Sequence, residues 1–253
     1  MLLSIGVVFF ACERVLDTVA PVTYEYFPLE TGKYKIYQID STVYDEYNCT
    51  VQTTSYQVKE LTGTTGTDGE GDLYYRVEQY VRTDSTQPWV LSSIGSEKIE
   101  DNQLQRVENN QRIIKMVFPV IENKTWDGIV FIRRDTLVPI RGGSIDMFKD
   151  WDDFTYEKVG GTFLDTASNK IYTDAVQILQ ADKTNNIERR YSKEVYAKNI
   201  GLVYKSMWIL DTQCRPVGTC TGVGDIATCI GKPWKEKAEK GFILTQTLID
   251  HNY

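Results

Sequence analysis

The chain has 253 residues, and its 28 Lys and Arg against 35 Asp and Glu give a formal net charge of -7. Because neutralisation of phosphates by Lys and Arg supplies most of the affinity for nucleic acid, this charge argues against a nucleic-acid partner. Hydrophobic residues make up 42% and charged residues 25%, which is an ordinary globular composition. Such a composition excludes a wholly disordered chain.

The N-terminal segment is apolar and short. Residues 1–11, MLLSIGVVFFA, carry no charge and are followed by Cys12 and the charged pair Glu13-Arg14. The block is too short to cross a membrane as a helix, which takes about 20 residues. Its length suits the apolar region of a secretory signal. The alternative is a buried N-terminal strand in which Cys12 is a core thiol.

With Ala11 directly before Cys12, this segment resembles a bacterial lipoprotein signal. The resemblance implies that residues 1–11 are removed and that Cys12 carries the lipid. Residues 12–30 are then a tether, and the protein is expected in the bacterial cell envelope, at the outer membrane, on its periplasmic or surface face. Fatty chains on the cysteine would make the membrane its first partner.

The other four cysteines predict disulfide bonds, because an even number in an exported chain is typical of paired thiols. Three of them lie in the Gly-rich segment CRPVGTCTGVGDIATC, which must be a loop. We expect one disulfide within this loop and a second that reaches it from outside. Free thiols and a zinc site are the alternatives, although zinc ligands are usually paired more closely in sequence. The candidates are Cys49, Cys214, Cys220 and Cys229.

Alternation of apolar and polar residues predicts strands along most of the chain. The predicted strands are 33–44, 53–61, 71–82, 112–120, 126–133, 154–164, 171–180, 201–210 and 242–249. Polar turns separate them, and no alternating strand and helix pattern is present. The sequence therefore predicts an all-β fold, an antiparallel sandwich or open barrel of roughly ten or more strands, in one domain over residues 31–253.

Helix is expected in one or two short segments only. In residues 233–241, Pro233 suits a first helical position and Gly241 suits a C-terminal cap. A second short helix is expected at residues 192–198.

Two segments resemble uncharacterised Bacteroidota-type lipoproteins. They are FPLETGKYKIYQIDSTVYD at 27–45, with its Phe-Pro-Leu-x-x-Gly opening, and YAKNIGLVYKS at 196–206. The resemblance implies an envelope location and brings no catalytic motif. The density of strands is also similar to that of periplasmic half-barrel carriers of the LolA/LolB kind, whose open β-cup holds an acyl chain.

The acidic segments have two interpretations each. Asp68, Glu70 and Asp72 alternate as in a calcium loop, but Leu73 stands where glycine is required, which favours a charged hairpin tip. KDWDDF places acids around Trp151, a pattern that occurs in glycoside hydrolases and, more often, in ordinary surface loops.

No catalytic motif is evident. The chain has one histidine, His251, and no nucleotide-binding loop or zinc-protease motif. We therefore expect no enzymatic activity, no metal and no cofactor.

Three functions follow from these features. The favoured one is a lipid-anchored, non-enzymatic binding or structural module, including a subunit of an outer-membrane assembly with other envelope proteins as partners. The second is a carrier of an acyl chain or another apolar ligand in a β-cup. The third is a glycan-binding or carbohydrate-active surface lipoprotein that stacks sugars on Trp89, Trp126, Trp151 or Trp234.

Overall fold

The computed structural model describes residues 22–216, 219–222 and 224–253. The predicted signal at residues 1–11 and the lipidation site Cys12 lie outside the described residues.

Fourteen strands and two short helices form the described structure. The first seven strands are β1 (Tyr34–Asp45), β2 (Thr50–Thr67), β3 (Leu73–Arg82), β4 (Val90–Glu100), β5 (Gln103–Glu108), β6 (Gln111–Val117) and β7 (Thr125–Trp126). The next six are β8 (Leu137–Ile140), β9 (Gly143–Asp146), β10 (Phe154–Asp165), β11 (Lys170–Thr184), β12 (Glu188–Ala197) and β13 (Gly201–Asp211). Helices α1 (Ile226–Ile230) and α2 (Trp234–Lys237) follow, and then β14 (Lys240–His251).

Twelve of the strands form one antiparallel sheet that curves into a nearly closed barrel. Its order is β6-β5-β4-β3-β2-β1-β14-β13-β12-β11-β10-β7, and β8 and β9 form a separate hairpin. Most neighbours are consecutive in the chain, while β1 pairs with β14 and so joins the two halves of the sheet. The prediction of an all-β fold is confirmed, in its barrel form.

The inside of the barrel is filled by alternate residues of the strands, because side chains of a strand point to opposite faces in turn. Tyr37 and Ile39 of β1 are buried, as are Val176 and Ile178 of β11. The alternation that identified these strands in the sequence therefore also identifies much of the core.

The segment before β1 packs against the barrel. Residues 22–30, the last part of the expected tether, contain neither helix nor strand. Phe27 is nevertheless buried in the main core, and Val22 and Leu29 pack against that core. The described part of the expected tether therefore packs against the barrel.

Two disulfides are present, and their arrangement matches the expectation. Cys214–Cys229 closes the loop that follows β13, and Cys49–Cys220 connects this loop to the turn between β1 and β2. Since all four sulfur atoms are engaged in pairs, free thiols and a zinc site are excluded for these cysteines.

Two predictions of local structure are wrong. Residues 126–133 form no strand beyond Trp126, because the carboxylate of Asp127 accepts a hydrogen bond of 3.0 Å from the Ile129 amide and turns the chain. Residues 192–198 are not helical, since most of the segment belongs to β12, which pairs with β13 from Glu188 onward.

The helices are shorter than expected. Helix α2 follows Pro233 as predicted but ends at Lys237, and Gly241 lies in β14 opposite Tyr44. Helix α1 was not predicted, although Asp225 accepts hydrogen bonds from the amides of its first turn, as an N-cap does. Neither helix of the described chain is long and apolar enough to cross a bilayer.

Side chains close the seam between the two ends of the sheet. The Tyr156 hydroxyl donates to the Val117 carbonyl at 2.9 Å and accepts from the Val117 amide at 3.1 Å. The Trp126 indole Nε1 donates to the Ile114 carbonyl at 2.8 Å. These groups satisfy backbone atoms of β6 that would otherwise remain unpaired at the edge.

Replacing Tyr156 by Phe should destabilise the barrel at this seam. The Tyr156→Phe variant leaves the half-buried amide and carbonyl of Val117 without this partner, which costs about 1–3 kcal/mol of unfolding free energy. Urea denaturation measures the loss, and hydrogen exchange at the Val117 amide locates it. Tyr47→Phe is the matched control, because Tyr47 is 79% exposed and should change stability by less than about 0.5 kcal/mol. Equal stability of the two variants would contradict this account of the seam.

Candidate functional site

The barrel contains a cavity of about 250 Å³ that is lined by charged side chains. Four basic and three acidic residues face it, namely Lys35, Arg106, Lys115, Lys205, Glu60, Glu108 and Glu194. Between them lie polar groups such as Gln79 and apolar side chains such as Ile39 and Leu244. We take this cavity as the candidate functional site, because it gathers titratable groups in one recess of the barrel.

Strand alternation places these charges inside. Arg106 lies two residues after Leu104 on β5, and Leu104 is fully buried, so both side chains point inward. On β2, Glu60 likewise lies two residues after Val58, which also lines the cavity. The charges therefore occupy positions that belong to the inner face of the sheet.

Arg106 is the centre of the first ion cluster. Its guanidinium contacts Glu97 at 2.7 Å and Glu108 at 3.2 Å, and it also pairs with Glu60. Burial alone would raise the pKa of Glu60, but the charge of Arg106 outweighs it and lowers the pKa to about 2. For Glu97, burial outweighs the attraction of Arg106 and raises the pKa. One cation thus serves three carboxylates.

Amide and hydroxyl groups extend this cluster along β3 and β4. The Gln79 Nε2 donates to Glu60 at 3.0 Å and to Glu108 at 3.2 Å. The Ser93 hydroxyl donates to the Gln79 Oε1 at 2.7 Å. These hydrogen bonds fix the two carboxylates that Arg106 also holds.

Glu194 is the centre of the second ion cluster. Its carboxylate pairs with Lys115, contacts the Lys205 Nζ at 3.4 Å and accepts a hydrogen bond of 2.6 Å from the Tyr196 hydroxyl. Burial would raise the pKa of Glu194, but Lys115 and Lys205 outweigh it and lower the pKa to about 2. Burial lowers the pKa of Lys115 more than Glu194 raises it.

The cavity reaches the surface on the side of β2, β3 and β4. Tyr56, Val81 and Ser92 line both the cavity and a wider depression of about 650 Å³. Arg82 and Pro88 lie on the outer part of that depression. A small molecule could therefore enter the barrel between these residues.

Two of the four tryptophans proposed for glycan stacking cannot act in that way. Trp126 and Trp151 are only 8% and 3% exposed, because they pack into the aromatic core around Phe154. Trp89 is half-buried beside Arg82, whose guanidinium lies 4.1 Å from the ring centre. Trp234 is half-buried, with its Nε1 3.2 Å from the Thr184 hydroxyl. The structure therefore does not bring the four rings together.

The acidic segment at 68–72 is the tip of the hairpin between β2 and β3. Its carboxylates lie close enough to hold a metal ion. The ammonium of Lys98 already contacts Asp68 at 2.9 Å and Asp72 at 3.4 Å. Lys98 thus already supplies a positive charge to these carboxylates, which favours a charged hairpin tip over a calcium site.

Sequence reasoning did not find the charged cavity. In β2 and β12, charged residues occur on both faces of the alternating pattern, so the pattern alone does not tell which face is inside. One signal was present. Glu194 directly precedes the apolar Val195, and few turn-forming residues lie near it in the sequence. That position would have marked it as a buried acid had the segment been assigned as a strand.

The comparisons with known proteins add little. No protein-family model matches the chain, and no curated protein matches it. A solved structure from Bacteroides fragilis, of a protein that has a YmcC-like fold and is considered to be exported, is 10% identical. The match covers 90% of this chain and 98% of that chain, with a TM-score of 0.37. This similarity is too low to carry that protein's properties over to this one.

Removing the Glu194 carboxylate should destabilise the protein strongly. Glu194→Gln removes the counter-charge of the buried Lys115 and of the half-buried Lys205. Breaking a buried ion pair in this way typically costs about 3–5 kcal/mol. Glu157→Gln is the control, since Glu157 pairs with Lys193 at the surface and its loss should cost less than about 1 kcal/mol. Denaturant unfolding at neutral pH compares the two variants. A similarly small loss of unfolding free energy in both would show that the second ion cluster does not stabilise the fold as argued.

The two ion clusters also predict that the protein becomes less stable as the pH falls. The pKa values of Glu60 and Glu194 are about 2 in the folded chain, below the 4.5 expected when unfolded. Their contribution is therefore complete above about pH 4.5 and is lost as the pH falls toward 2, by about 3 kcal/mol each. Urea titrations at a series of pH values measure this slope. The slope should become shallower in Glu194→Gln, and an unchanged slope would contradict the assignment.

Proposed function

We propose that the chain is an exported, lipid-anchored envelope protein that acts without catalysis, as a binding module whose barrel encloses a small polar molecule. The observation that carries this proposal is the cavity of about 250 Å³, which collects seven charged side chains and shares lining residues with a surface depression. Apolar residues would give a stable core without the desolvation cost of burying ion pairs, so stability alone does not account for these charges.

The disulfides support export. Disulfides persist in oxidising compartments and are rare in the cytosol. Cys49–Cys220 and Cys214–Cys229 use all four cysteines of the chain other than Cys12. Together with the apolar block at residues 1–11, they favour a mature protein outside the cytosol. Attachment through Cys12 would place the barrel beside other envelope proteins, which are further candidate partners.

The chemistry of the cavity favours binding over catalysis. A general acid works best with a pKa near the operating pH. Glu60 and Glu194 both have pKa values of about 2 and are held in ion pairs. They remain ionised at neutral pH and are suited to binding charge rather than to delivering protons.

The lining argues against the acyl-carrier alternative. An acyl chain placed in the cavity would separate Arg106, Lys115 and Glu194 from polar surroundings without offering them a hydrogen bond. Such desolvation is unfavourable. A ligand with polar groups matches this lining better.

Anchoring through Cys12 can be tested directly. Wild-type protein expressed in a bacterial host should incorporate labelled palmitate and partition into the detergent phase, whereas Cys12→Ser should lose the label and enter the aqueous phase. Ser4→Ala is the control, since it changes the apolar block but keeps the modified cysteine. An intact, unmodified Met1 on wild-type protein, measured by mass spectrometry, would overturn the lipid anchor.

A further inference from the structure

One basic side chain of the cavity makes no direct ion pair among the described residues, although its charge helps to lower the pKa of Glu60. Lys35 of β1 is only 4% exposed and lines the cavity. Among the described residues, no carboxylate lies within 4.0 Å of its ammonium. Lys35 is in register with Glu60 on β2, but its Nζ lies over the rings of Phe27, at 5.1 Å, and Tyr253, at 5.2 Å.

This ammonium differs from the other cations of the cavity. Arg106 has three carboxylate partners, and Lys115 and Lys205 share Glu194. Contact with aromatic rings compensates only in part for the lost hydration of a buried ammonium. Lys35 is therefore a cation that can still accept an anionic group inside the barrel.

The Arg106 cluster has more carboxylates than direct cationic contacts. One guanidinium faces the carboxylates of Glu60, Glu97 and Glu108. The side chain of Glu108 is 41% exposed and lines the cavity, so its oxygens are accessible to a bound molecule. This wall can therefore accept a positively charged group.

Apolar groups line the space between these charges. Ile39, Val58, Leu202 and Leu244 all face the cavity. A volume of about 250 Å³ lies just below the range of roughly 300–1,000 Å³ typical of sites for drug-sized ligands. The occupant is therefore compact, with one negative and one positive group close together and a small apolar body.

We infer that the cavity binds an amino-acid-sized zwitterion, with its carboxylate on the Lys35 ammonium and its ammonium at the Glu60 and Glu108 carboxylates. This inference rests on the binding function proposed above and specifies its ligand class. The isopropyl-sized apolar part of such a molecule would pack against the aliphatic side chains of the lining.

Three probes of nearly the same shape test the contribution of each charge separately. L-valine carries both, isovalerate carries only the carboxylate, and isobutylamine carries only the ammonium. Titrated into ¹⁵N-labelled protein and followed by NMR, L-valine should bind more tightly than either analogue and shift amides of β1, β2 and β5. Lys35→Met should weaken L-valine and isovalerate at least about tenfold, through loss of a charged hydrogen bond, and leave isobutylamine unchanged.

Lys59→Met is the matched control. Lys59 directly precedes Glu60 in the sequence, and its Nζ lies 4.6 Å from the centre of the Tyr34 ring. It does not line the cavity. This variant should bind all three probes like the wild type, and thermal unfolding of both variants shows that they are folded.

The outcomes distinguish the two proposals. If Lys35→Met binds L-valine as tightly as the wild type, or if isobutylamine binds best, the zwitterion assignment is wrong and the cavity remains a binding site for another polar molecule. If none of the probes shifts a cavity amide, the zwitterion assignment is overturned, while the binding function proposed above stands or falls with polar probes of other classes. Tighter binding of L-valine that depends on Lys35 but not on Lys59 supports both.

Discussion

The charged side chains inside the barrel must be paired, and the rest of the interior depends on that requirement. A buried charge without a partner is far more costly than an exposed one. Arg106 and Glu194 meet the requirement by each gathering several groups of opposite charge. The partners come from β2, β4 and β5 in one cluster and from β6, β12 and β13 in the other. A register error in any of these strands would turn a charged partner to the outside.

The same contacts help to close the sheet. β6 stands at one end of the strand order and β12 lies near the other end, yet Lys115 and Glu194 meet across the interior. The seam formed by Tyr156 and Trp126 brings the same two regions together through the backbone of β6. Interior ion pairs and edge hydrogen bonds therefore both hold together the two ends of the long antiparallel sheet.

The fold was largely predictable from the sequence, and the site was not. Alternation identified β1, β3, β11 and β14 because their apolar residues recur at every second position. It failed at 126–133, where a local hydrogen bond from the Ile129 amide to the Asp127 carboxylate overrides a run of residues with high strand propensity. It failed at 192–198 because residues such as Lys and Glu are good helix formers, and only the pairing with β13 makes the segment a strand. The cavity was hidden because contacts between Lys115 and Glu194, far apart in sequence, leave no local pattern. The burial of Trp126 and Trp151 is likewise a property of tertiary packing.

The bond between Cys49 and Cys220 links residues separated by 171 positions. Everything from β2 to β13 is therefore contained in one covalent ring, whose ends meet at the turn between β1 and β2. A protease that cuts a single exposed loop anywhere within this ring would open it without releasing a fragment. In an extracellular compartment, where proteases are present and reductants are scarce, a nicked molecule would keep both halves of its barrel together.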